Sequence, residues 1–124
     1  MKIQVHADCN NESRKLIIRD FNVAFAKGKR SIIINSVSPD INWTVYGDFE
    51  LTGKKAFEQE IDKMLKYPRP KELIIDSIIS HGAESLANGI IVMEDNSYAF
   101  CDVYKFVNAK SEMLKEIKSY VIEI

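Results

Sequence analysis

The sequence predicts an α+β fold with its helices and strands in separate halves of the chain. Three observations carry this. Apolar residues recur at three- and four-residue steps in two segments before residue 67. From residue 72 onward, strand-like runs follow one another, separated by short polar turns. The composition is that of an ordinary globular chain, with 124 residues, 46% of them apolar and 28% charged. Helices first and a meander of strands last imply one antiparallel sheet covered on one face by helices. The length implies a single domain over residues 1–124.

Residues 11–27 read as a helix, with Ile17, Ile18, Phe21, Ala24 and Phe25 on one face. Asp8, Asn10 and Asn11 offer N-caps, and Gly28 stands where a helix-ending glycine belongs. Residues 31–35 are open to two readings. Three consecutive isoleucines favour a strand, while the short length and the flanking Lys29, Arg30 and Asn35 allow a short helix. Ser38-Pro39-Asp40 breaks that segment. Residues 41–46 alternate as a strand with Ile41, Trp43 and Val45 on one face, and Gly47-Asp48 turns the chain. The second helix covers 53–67, with Phe57, Ile61, Met64 and Leu65 on its apolar face, and Pro68 and Pro70 stop it. Four strands complete the chain, over 72–81, 86–94, 98–107 and 114–124.

Charge and composition speak against several functions. Seventeen Lys and Arg stand against 18 Asp and Glu, a net charge of −1, which does not suit nucleic acid or an anionic membrane surface. No apolar run approaches the ~20 residues of a membrane span. The first residues, MKIQVHADCNNESRK, contain no apolar stretch of the secretory kind, and two cysteines are too few for a disulfide framework. The expectation is a cytoplasmic protein with free thiols. His6 and Cys9 have metal-like spacing but lack a second pair, so no metal site is expected. Nor is a cofactor, since the glycines are scattered and form no phosphate loop.

Three segments carry a resemblance to a known family. They are Phe21 to Lys29 at the end of the first helix, Pro39 to Gly47 followed by Thr52 to Phe57, and Cys101 to Phe106 leading into Ile117-Lys118-Ser119-Tyr120. Their order and spacing resemble the nuclear transport factor two-like (cystatin-like) superfamily, in its SnoaL-like and ketosteroid isomerase-like branch. The resemblance implies a curved antiparallel sheet wrapped around the N-terminal helices, a cone-shaped α+β barrel. It also implies an apolar pocket at the open end of the cone, and homodimers. It places Asp102 on the isomerase's oxyanion-hole aspartate, Phe21 on its catalytic phenol and Thr44 on its general base. Phe21 has no hydroxyl and Thr44 is a poor base, so steroid isomerisation is not expected. Alternation of the strand favours Trp43, rather than Thr44, as the inward residue.

The most informative strand is 98–107. Alternation puts Tyr98, Phe100, Asp102, Tyr104 and Phe106 on one face, so one acid sits among four aromatics. Desolvation raises the pKa of such a carboxyl, and a protonated acid can donate to a developing oxyanion. The same residue also admits a purely structural role. His81 shares a face with Ile75, Ser77 and Ile79 and is the candidate proton carrier at the pocket mouth; a solvent-exposed turn histidine is the alternative. The candidate catalytic residues are therefore Asp102 and His81. The expected pocket walls are Phe21, Trp43, Phe57, Ile61, Ser77, Ile79, Phe100, Tyr104, Ile117 and Ser119.

The leading expectation is a homodimeric protein that binds an apolar small molecule. The first alternative is a cofactor-independent isomerase, dehydratase or cyclase using Asp102 as acid. The second is a dimeric scaffold joined through the outer face of the sheet, where Tyr120, Ile122 and Ile124 align.

Overall fold

Three helices and seven strands make up the computed structural model, which describes residues 1–124. In chain order they are β1 (Lys2–Val5), α1 (Ser13–Lys27), α2 (Arg30–Asn35), β2 (Val37–Val45), β3 (Phe49–Thr52) and α3 (Lys54–Met64). β4 (Glu72–His81), β5 (Glu84–Val92), β6 (Ser97–Phe106) and β7 (Leu114–Glu123) follow. The strands form one curved, open sheet in the order β1-β4-β5-β6-β7-β2-β3.

The second half of the chain is an antiparallel meander from β4 to β7. The sheet as a whole is mixed, which corrects the expectation of a purely antiparallel one. β1 runs parallel to β4, and β2 runs parallel to β7. Both parallel pairs join strands distant in sequence, with helices in the intervening chain, as parallel pairing requires. The edges β1 and β3 do not meet, so the sheet does not close into a barrel.

Helix α1 buries Ile18, Phe21, Asn22, Ala24 and Ala26. It ends at Gly28, whose φ of 70° lies in the left-handed region. The Lys29 N–H then bonds back to the Ala24 carbonyl (2.9 Å). The start of α1 differs from the expected capping. Asn10 and Asn11 occupy left-handed backbone ahead of the helix, and Glu12 stands at the N-cap without a side-chain bond. Residues 30–35 form a short helix, and Ile33 and Ile34 go inward while Ile32 stays exposed. Helix α3 buries Phe57 and Ile61, and Arg30 joins it to α2 through Asp62. None of the helices is long and apolar enough to cross a membrane.

Two short strands escape the expected element order. Residues 2–5 pair with β4 at one edge, and residues 49–52 pair with β2 at the other. Strand β2 also begins earlier than residue 41. Its register with β7 shifts between Val37 and Asn42, and Pro39 and Asp40 lie exposed in that irregularity, where a missing proline N–H costs nothing.

A second irregularity decides which residues of β4 face inward. Ile75 pairs with Gly89 and Ser77 with Asn88, so Asp76 is an extra, bulged residue. The bulge reverses the alternation. Leu73 and Ile75 are buried before it and Ile78 after it, while Ser77 and Ile79 turn outward. Gly89 is what lets the two strands approach here. A Cβ on it would lie 1.9 Å from the Ile74 carbonyl oxygen.

Candidate functional site

The inner face of the sheet and helix α1 enclose an open cavity of about 660 Å³. Inward positions follow from the pleat. Tyr98, Phe100, Asp102 and Tyr104 come from β6, Ile117, Ser119 and Val121 from β7, and Trp43 and Val45 from β2. Phe21, Asn22 and Phe25 come from α1, and Phe49 from β3. Sixteen of the 27 lining residues are hydrophobic, so the interior is an apolar chamber with few polar groups. The mouth, where the lining residues are exposed, is bordered by Asp48, the Tyr67–Lys71 link and the turn at residues 93–96.

Aromatic rings build the walls. Trp43 meets Phe25 at 5.7 Å and Phe49 at 5.1 Å between centroids, both edge to face. Phe21 meets Tyr104 in the same way at 6.0 Å. Such tilted contacts are the favoured aromatic geometry.

Asp102 is the acid of this chamber, and two chains of donors converge on it. In the first, Asn22 Nδ2 donates to Tyr104 Oη (2.9 Å), and the Tyr104 hydroxyl donates to Asp102 Oδ2 (3.1 Å). The other Asn22 proton goes to the Ile18 carbonyl (2.9 Å), which fixes the amide. In the second, Trp43 Nε1 donates to Ser119 Oγ (3.1 Å), and Ser119 stands directly across the ladder from Asp102, where it holds the carboxyl down. Asn22, Trp43, Tyr104 and Ser119 are all buried.

Burial pushes the Asp102 carboxyl up to about 6, and the Ser119 and Tyr104 hydrogen bonds offset part of that rise. The group is thus mostly ionised at neutral pH, yet close enough to exchange a proton. Burial, and then the nearby Asp102, hold the Tyr104 phenol well above its usual range, so it remains a donor. On the opposite face of β6, burial and Asp102 likewise raise the Cys101 thiol, which stays protonated.

The structure brings together Phe21, Trp43, Phe100, Asp102, Tyr104, Ile117 and Ser119. It does not bring the other expected residues there. Phe57 and Ile61 are fully buried in the core, Phe57 packing behind Trp43 at 5.6 Å, and neither lines the cavity. His81 is exposed, at the β4 end remote from the mouth, where it pairs with Glu84 across the hairpin. Ser77 and Ile79 lie on the outer face with it, and the bulge at Asp76 is the physical cause. Asn22, Phe25 and Phe49 are lining residues that the sequence reading did not single out. For Phe49 a signal existed, since Phe49-Glu50-Leu51-Thr52 alternates after the Gly47-Asp48 turn.

No family model and no curated protein matches the sequence significantly. Solved structures do match in shape. A nuclear transport factor two-like protein of unknown function from Cytophaga hutchinsonii has 21% identity and a TM-score of 0.67, over 88% of this chain and 99% of that one. Another such protein, from Burkholderia xenovorans, has 13% identity and a TM-score of 0.71, over 90% and 87%. An LEH-like epoxide hydrolase from M. tuberculosis has 13% identity and a TM-score of 0.72, over 86% and 76%. With its curved, open mixed sheet and its three helices, this chain has the nuclear transport factor two-like α+β fold.

Proposed function

We propose that residues 1–124 act as one domain that binds an apolar small molecule without a cofactor. The observation that carries this is the open aromatic chamber of about 660 Å³ with a hydrogen-bonded carboxylate in its wall. Its size suits a ligand of drug-like dimensions. His81, the expected proton carrier, lies on the outer face away from Asp102, and Phe21 carries no hydroxyl. Binding without chemistry is therefore the leading reading.

Trp43 is the sole tryptophan and lines the cavity, so its fluorescence reports on occupancy. Titration with 1-adamantanemethanol, which does not absorb in this range, is expected to shift the Trp43 emission and raise the melting temperature. A Val121→Phe variant, with a ring placed in the chamber, is expected to lose both responses. An unchanged spectrum and melting temperature in the native chain would defeat the reading. A bound ketone recovered with solvent deuterium beside its carbonyl would instead assign Asp102 a proton-transfer role.

The outer face of the sheet supports a homodimer. Ile79, Tyr120 and Ile122 are exposed there, and Tyr120 stacks on Tyr46 with ring centroids 4.8 Å apart. Sedimentation at micromolar concentration is expected to give a dimer, and a Tyr120→Glu chain a monomer. A native chain that sediments as a monomer would exclude this assembly. The two free thiols, Cys9 and Cys101, fit a reducing, cytoplasmic setting.

A further inference from the structure

The chamber selects ligands by charge as well as by shape. We infer that its preferred occupant is an apolar molecule bearing a protonated amine, with the ammonium group against Asp102 and the apolar body against the aromatic walls. This rests on the cavity being a binding site and names the class of molecule it takes.

Asp102 lacks a counter-charge. Every ion pair of the chain lies elsewhere, and no lysine, arginine or histidine meets this carboxylate. A carboxylate removed from water without a counter-charge is costly and ordinarily has a partner. Its neighbours, Tyr104, which donates to it, and Ser119 across the ladder, are neutral hydroxyls. Even two such bonds would leave half of its roughly four acceptor positions. The remainder are open to the cavity that Asp102 lines. A protonated amine supplies the missing charge together with its own donors, and bonds of that kind are the stronger class.

The surroundings suit the same cation. Phe21, Trp43, Phe100 and Tyr104 line the chamber, and the face of an aromatic ring is its negative side, which attracts a cation rather than an anion. The mouth repeats the preference. Asp48, Glu94 and Asp95 line it together with Arg69 and Lys71. The Arg69 guanidinium is held by the Met64 and Tyr67 carbonyls, and Lys71 pairs with Glu94 at 3.5 Å. Asp48 and Asp95 form no ion pair, so an approaching ligand meets a net negative rim.

Three probes of one shape separate charge from shape: 1-adamantanemethylamine, 1-adamantanemethanol and 1-adamantanecarboxylate, each titrated calorimetrically at pH 8. The amine is expected to bind at least ~10-fold more tightly than the alcohol, the usual scale of a charge-assisted hydrogen bond, and the carboxylate most weakly. Asp102→Asn is expected to bring amine and alcohol to within a few-fold of each other.

The native chain offers a second readout. At pH 5 the amine's advantage is expected to shrink as Asp102 takes up a proton. Around that carboxyl stand Phe21 and Asn22 from α1, Ala87 from β5, Tyr104 on β6 itself and Ser119 from β7. Asp48, Arg69, Lys71, Glu94 and Asp95 lie beyond them at the mouth. The same pair of pH values in Asp102→Asn subtracts what those rim charges contribute. Equal binding of amine and alcohol, or an amine preference that survives Asp102→Asn, would overturn the inference and leave the pocket standing. Binding of none of the three would overturn the pocket reading as well.

Discussion

A Gly89→Ala chain is expected to lose about 4 kcal/mol of stability, a large part of what a small domain possesses. The expectation reverses an ordinary rule. Gly89 does not sit in the left-handed backbone region, and alanine in a strand normally gains from the lost freedom of glycine. Here the added methyl would overlap the Ile74 carbonyl at 1.9 Å and the Ile75 Cα at 3.1 Å. Both are backbone atoms, so no side chain can swing aside. Either β5 moves away from β4, or the bulge at Asp76 is lost. Losing the bulge would turn Ile78 outward and Ile79 inward, because a one-residue slip exchanges the faces of a strand. Urea unfolding at 25 °C checks this. A midpoint within experimental error of the native chain would show that the two strands separate freely.

The second large effect is a gain. Asp102→Asn is expected to stabilise the chain by about 3 kcal/mol at pH 8 and by almost nothing near pH 4. The Asp102 carboxyl stands at about 6 in the folded chain, against 3.8 for an ordinary aspartate. Between those values the native state holds a proton that the unfolded state has released, so stability falls as pH rises. The favourable contribution is complete below about 4 and is lost by the time pH has passed about 6. Asparagine does not ionise and escapes that loss. Its amide can still meet the Tyr104 and Ser119 hydroxyls, which are able to accept as well as donate. Denaturant titrations of both chains at pH 4 and pH 8 give the comparison. Asp40 and Asp62, whose carboxyls are held down by Ser38 and Arg30 respectively, titrate in both chains and cancel. The same stability difference at both pH values would mean that Asp102 is not desolvated. A gain on removing a polar group is the familiar signature of a site kept for use rather than for folding.

Asp102 was legible in the sequence because β6 is regular from Tyr98 to Lys105, and simple alternation puts it between Phe100 and Tyr104. Helix α1 was legible for a similar reason, as was its end at Gly28. The misplaced residues lie where periodicity breaks. Alternation alone carries Ser77, Ile79 and His81 inward; one bulged residue at Asp76 carries them out. Phe57 and Ile61 illustrate another limit. Helical spacing identifies a buried face, but it does not say whether that face meets a cavity or solid core. The strands at residues 2–5 and 49–52 are too short for a period to stand out, and long-range pairing with β4 and β2 makes them strands. Asn22 is the most instructive omission. Within α1 it reads as one polar residue beside an apolar stripe, and its role exists only because β6 brings Tyr104 within 2.9 Å.

The donors behind Asp102 have a further consequence. A free tyrosine or serine hydroxyl turns about its C–O bond and aims its proton wherever an acceptor stands. Here Asn22 donates to the Tyr104 oxygen and Trp43 to the Ser119 oxygen, so one lone pair of each is engaged and fewer directions remain for its proton. The Tyr104 hydroxyl, with Asn22 behind it and Asp102 ahead, is therefore held in the fold itself. Water around a carboxylate must reorient whenever its charge changes; these dipoles need not. With the cavity as a binding site, an incoming group would meet a field already partly oriented, which would lower that part of the cost of association.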